Sequence, residues 1–89
     1  MGKGKTKKSK VTILRSLKKE EGFKLCELWE LGDHRYVARV NREGVCRVWR
    51  GSTDGQLLSD YPVINGDYDY TRARVRLSKL HDAGELPQP

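Results

Sequence analysis

Soft metal ligands are scarce in this chain, whose 89 residues include only two cysteines and two histidines. Cys26, Cys46, His34 and His81 form no zinc-binding pattern, so no metal site is expected. Both cysteines lie in apolar stretches, where a thiol behaves as a small hydrophobe, and they are read as buried and unpaired. No run of eighteen apolar residues is present, which argues against a membrane-spanning helix. The charged N-terminus is followed by no apolar stretch of the secretory type. Its opening Met-Gly-Lys-Gly-Lys-Thr fits the bare N-myristoylation pattern. A lysine-rich start arises equally in a nucleic-acid-binding arm, and the cytoplasm is the expected compartment.

Catalytic signatures are also missing. No phosphate-cradling glycine loop stands at a strand-to-helix junction, and no Ser/His/Asp or Cys/His order stands out. Asp60, Asp67 and Asp69 lack the spacing of a calcium loop and are better explained by turns and helix capping. A domain of this size buries only about 60% of its unfolded surface. With 36% apolar and 34% charged residues, it has room for one thin core and no deep cavity. The expectation is a non-enzymatic protein without a cofactor.

What the chain does have is lopsided charge. Residues 1–10 contain Lys3, Lys5, Lys7, Lys8 and Lys10 and no acid. Residues 11–89 hold thirteen cations against twelve acids, so the net +6 is mostly a basic arm on a nearly neutral body. With Gly, Ser and Thr between its lysines and nothing to bury, the arm is expected to be disordered. Residues 11–84 read as one small domain, and 85–89, with two prolines, as a tail.

Ile13, Leu14 and Leu17 stand at helical spacing ahead of Gly22, predicting a short helix over 11–21. The β-branched start at Val11, Thr12 and Ile13 would suit a strand equally. Phe23–Leu31, Arg35–Asn41 and Val45–Arg50 read as three strands. Asn41-Arg42-Glu43-Gly44 has the chemistry of a type I turn followed by a left-handed glycine, the three-residue G1-bulge hairpin. Between 71 and 80 the pattern fits an alternating strand, but it also puts Ala73, Leu77 and Leu80 on one helical stripe. Good helix formers, acids before the start and Gly84 after it favour a helix. The predicted fold is α+β: a three-stranded antiparallel meander with a C-terminal helix on one face. The alternative is a small five-strand barrel, with 57–64 and 67–77 paired around Asn65-Gly66.

The turn fixes the hairpin register as Val40 with Cys46, Arg39 with Arg47, Ala38 with Val48, and Val37 with Trp49. Alternation then gives an apolar face of Tyr36, Ala38, Val40, Cys46 and Val48, suited to receive a helix. The other face carries Arg35, Val37, Arg39, Arg47 and Trp49. Guanidinium groups meet phosphate bidentately and an indole offers a stacking surface, so this face reads as a nucleic-acid platform. The lysine arm would add salt-sensitive phosphate contacts, and Arg72, Arg76 and Lys79 would extend the surface as a helical stripe.

Two readings compete with this one. Residues 20–33 hold five acids, so Glu27 or Glu30 could neutralise Arg35, Arg39 or Arg47 across neighbouring strands. Residues 11–21 could cover Val37 and Trp49. Arginine and tryptophan are also enriched at protein hot spots. The expected function is therefore a nucleic-acid-binding accessory protein, DNA or RNA undetermined. The alternative is an interaction module, a small inhibitor or adaptor, docking on an acidic protein surface. The sequence selects no oligomeric state.

Overall fold

In the computed structural model, residues 10–86 are described; Lys3, Lys5, Lys7 and Lys8, expected to contact phosphates, lie outside them. Four strands, β1 (Thr12–Ser16), β2 (Phe23–Leu31), β3 (His34–Asn41) and β4 (Cys46–Gly51), form one antiparallel sheet in the order β1-β2-β3-β4. A single helix, α1 (Tyr70–Asp82), packs on one face. The architecture is α+β with an open sheet. Residues 67–77 contribute no strand, which rules out the barrel.

The hairpin between β3 and β4 has the register that its turn dictates. Asn41 Oδ1 accepts from the backbone N–H groups of Glu43 and Val45 at 2.9 and 3.0 Å. Gly44 takes φ +90°, which side chains rarely tolerate, and donates to the Asn41 carbonyl at 3.0 Å. Local chemistry decides this element.

The segment expected to be helical over 11–21 is instead β1, and the sheet has four strands rather than three. Two facts favour the strand. Val11, Thr12 and Ile13 are stiff β-branched residues, and Val11 and Ile13 lie on the face that α1 covers, Ile13 opposite Trp29. A bulge between Ile13 and Arg15 then shifts the phase, so Arg15 lies opposite Leu28 on the other face. Leu17 donates its N–H to the Cys26 carbonyl at 2.9 Å and reaches the same face. A helix-like spacing is thus produced by a bulged strand with apolar residues on both faces.

The main core lies between the sheet and α1. Tyr36, Ala38, Val40, Cys46 and Val48 are all buried there against Ala73 and Leu77, together with Trp29, Leu31 and Ile64. Each large side chain withdrawn in this way stabilises the fold by roughly 1.5–3 kcal/mol before chain entropy is counted. Asp69 caps α1 by accepting from Arg72 N–H at 2.8 Å, worth about 1 kcal/mol. At the other end Gly84 N–H bonds the His81 carbonyl and Glu85 N–H the Leu80 carbonyl, a Schellman closure.

Residues 52–68 run back along β4. Leu58 N–H bonds the Arg50 carbonyl, Val63 and Ile64 bond Val48, and Cys46 N–H bonds the Tyr68 carbonyl. The outer edge of β4 is therefore stitched to this segment. Its first turn also reaches the helix-free face, where a Cβ at Gly55 would stand 2.8 Å from Leu17 Cδ2. Cys26 and Val37 are buried and line the same cleft as Leu17 and Gly55.

Candidate nucleic-acid interface

Strand alternation brings Arg35, Arg39, Arg47 and Trp49 onto the helix-free face, but they do not form an open platform. Arg35, opposite Glu30 in the register, makes a 3.0 Å ion pair with it. The Arg39 guanidinium carbon stands 5.3 Å from the ring centroids of both Phe23 and Trp49, a cation sandwiched by residues of the two flanking strands. Arg47 Nε donates to Asn65 Oδ1 at 3.0 Å. Trp49 is half-buried, with one neighbour already in place. The neutralising reading of the sequence holds for Arg35 alone. Among the described residues, neither Arg39 nor Arg47 is ion-paired.

Those two guanidiniums are direct cross-strand partners. Like charges so placed repel, and here stacking on two rings offsets the cost for Arg39, as a neutral amide bond does for Arg47.

A different surface is more open. Arg72, Arg76 and Lys79 are all exposed on α1, at the i, i+4, i+7 spacing that puts them on one stripe. A groove of about 300 Å³ runs beside them, lined also by Tyr68, Thr71 and Val75. The Arg72 guanidinium carbon lies 5.5 Å from the Tyr68 ring centroid and that of Arg74 5.7 Å from Tyr70, so aromatic rings hold both charged heads. The first helical turn has no acid, although negative charge is what the positive end of the helix dipole favours. The Asp69 carboxylate at the N-cap supplies that negative charge, with Arg72 three residues beyond it.

Lys10, exposed, shares a second groove of about 320 Å³ with Val11, Thr71, Arg74, Val75 and Ser78. The root of the lysine-rich segment thus lies on the helix side of the sheet. No family model, curated protein or solved structure matches the chain. The site must be judged on its geometry.

That geometry divides the expected residues into two groups. Lys10, Arg72, Arg76 and Lys79 come together around α1, whereas Arg35, Arg39, Arg47 and Trp49 occupy the opposite face of the sheet. One rigid ligand cannot lie flat on both. Arg74, Thr71 and Val75 were missed as groove residues because the alternating Thr71-to-Leu77 pattern does not reveal which side of a helix adjoins Lys10. His34 and Arg50, linked through Nδ1 and Nη2 at 3.1 Å, were also missed; Arg50 lies 5.8 Å over Tyr36.

The titratable groups give little help to covalent chemistry. Burial, then the charges of Glu27 and Asp69, push the Cys46 thiol up to about 12, far from a reactive thiolate. Burial together with the hydrogen bond to Glu27 raises the Tyr70 hydroxyl to about 12. Burial also raises Tyr36, with Arg50 opposing. No helix among the described residues is long and apolar enough to cross a membrane.

Proposed function

We propose that this is a small, non-enzymatic, cytoplasmic nucleic-acid-binding accessory protein that meets phosphates with the exposed stripe of α1 and the adjoining lysine-rich segment. The observation behind this reading is the shared groove of Lys10 with Thr71, Arg74 and Val75. Through it, the start of a segment with five lysines adjoins a helix with four cations between 70 and 80. Phosphate neutralisation by such a set gives sequence-independent affinity that falls steeply with salt. The Arg39–Arg47 pair on the other face is a secondary contact, suited to a strand that wraps around the sheet edge.

Fluorescence anisotropy with labelled single- and double-stranded DNA and RNA at about 50 mM salt tests the proposal. Binding is expected, with a log–log salt slope that becomes shallower by about 0.9 per duplex phosphate contact removed in an Arg72→Ala/Arg76→Ala/Lys79→Ala variant. Arg39→Ala/Arg47→Ala should change affinity less. Absence of binding across the panel, or an unchanged slope in the helix variant, refutes it.

A further inference from the structure

We propose that the outer edge of β1 is a docking site for an acidic, extended segment of a partner protein, which adds to the sheet as a fifth strand. This site shares only Lys10 with the proposed phosphate-binding surface, because it otherwise uses backbone groups and the charges of β1 and the turn after it rather than the stripe of α1.

The two edges of the sheet are unequal. The β4 edge is stitched to residues 52–68, whereas among the described residues β1 pairs only with β2. All five residues of β1 are exposed, Ile13 and Leu14 at 41% each. An edge strand presents unpaired N–H and C=O groups, a template for another chain.

Charge selects the occupant. Residues 10–19 hold Lys10, Arg15, Lys18 and Lys19, all exposed, and no acid; Glu20 and Glu21 follow only in the turn before β2. Cations on an edge normally discourage pairing between copies. A second copy laid on β1 would bring these cations against their own counterparts, where like charges destabilise. An acidic strand reverses the sign of that interaction. The bulge at Leu14 limits the ladder to a few residues on either side, so the added strand is short. Ile13 lies on the Trp29 face and Arg15 on the Leu28 face, so a matching segment alternates apolar with acidic residues.

The experiment uses the full chain and a labelled peptide of alternating valine and glutamate, followed by amide hydrogen exchange. Saturable binding with new protection confined to the amides of residues 12–16 is expected. An Arg15→Glu/Lys18→Glu variant should weaken it by at least about tenfold. The same peptide, N-methylated on the residues that face β1, should not bind. The Arg72→Ala/Arg76→Ala/Lys79→Ala variant should bind the peptide normally, which keeps failure here distinct from failure of the nucleic-acid reading. No binding, or equal binding of the methylated peptide, overturns the proposal. So does protection of the same amides by self-association or by an oligonucleotide.

Discussion

The Tyr70 hydroxyl donates a 2.6 Å hydrogen bond to Glu27 Oε1, joining the first turn of α1 to β2 across 43 residues of sequence. The same oxygen accepts from Trp29 Nε1 at 3.0 Å, and the Trp29 and Tyr70 rings meet edge to face at 5.7 Å. Two neutral donors satisfy a half-buried carboxylate at the junction that sets the position of α1. Because α1 carries the exposed cationic stripe, this junction also sets where that stripe points.

Removing the hydroxyl should therefore destabilise the fold. A Tyr70→Phe variant is expected to lose about 1.5–3 kcal/mol in urea unfolding, the usual range for a hydrogen bond to a charged group. In a Glu27→Gln background the loss should be smaller, giving a measurable coupling in a double-mutant cycle. Additive effects would show that the bond does not anchor the helix.

Alkaline pH should loosen the same region. Cys46 and Tyr70 ionise more readily unfolded, near 9.0 and 10.0, than folded, where both are raised to about 12. The folded state then holds more protons over that interval, so stability is full below pH 9, declines as pH rises and levels off past about 12. Guanidinium unfolding at a series of pH values tests this. A Cys46→Val variant should flatten the first part of the decline; an unchanged profile would contradict the assignment.

Stacking on the helix-free face should be visible in tryptophan emission. Trp29 is fully buried, whereas Trp49 is half-buried beneath the Arg39 guanidinium. Acrylamide should therefore quench one emitting population and spare the other. An Arg39→Ala change should make the accessible population easier to quench and lower stability by about 0.5–2 kcal/mol. Identical quenching in wild type and variant would argue against the sandwich.

Where local chemistry decided the conformation, the sequence was readable. Asn41 and Gly44 fixed a turn, the turn fixed a register, and the register assigned each residue of β3 and β4 to a face. Asp69 and Gly84 bracketed α1 in the same way. β1 was less legible, because a bulge gives Ile13 and Leu17 the spacing of a helix while sending them to opposite faces. Cover over Val37 from residues 11–21 was foreseeable, but the residue that supplies it, Leu17, reaches that face only from a bulged strand. The charge bands showed that Arg35 had acids nearby in sequence. They did not show that Arg39 would settle between two aromatic rings, a result of three-strand packing. Nor does composition place Lys10 beside Thr71, because that proximity depends on where β1 enters the sheet.

The stitching of residues 52–68 along β4 gives the sheet a finite capacity for growth. Even if two molecules met through β1, the composite would end in a sealed margin on each side and offer nothing for a third. While that seam stays closed, edge-to-edge growth of the native sheet along β4 is blocked, and whatever opens the seam would remove the safeguard.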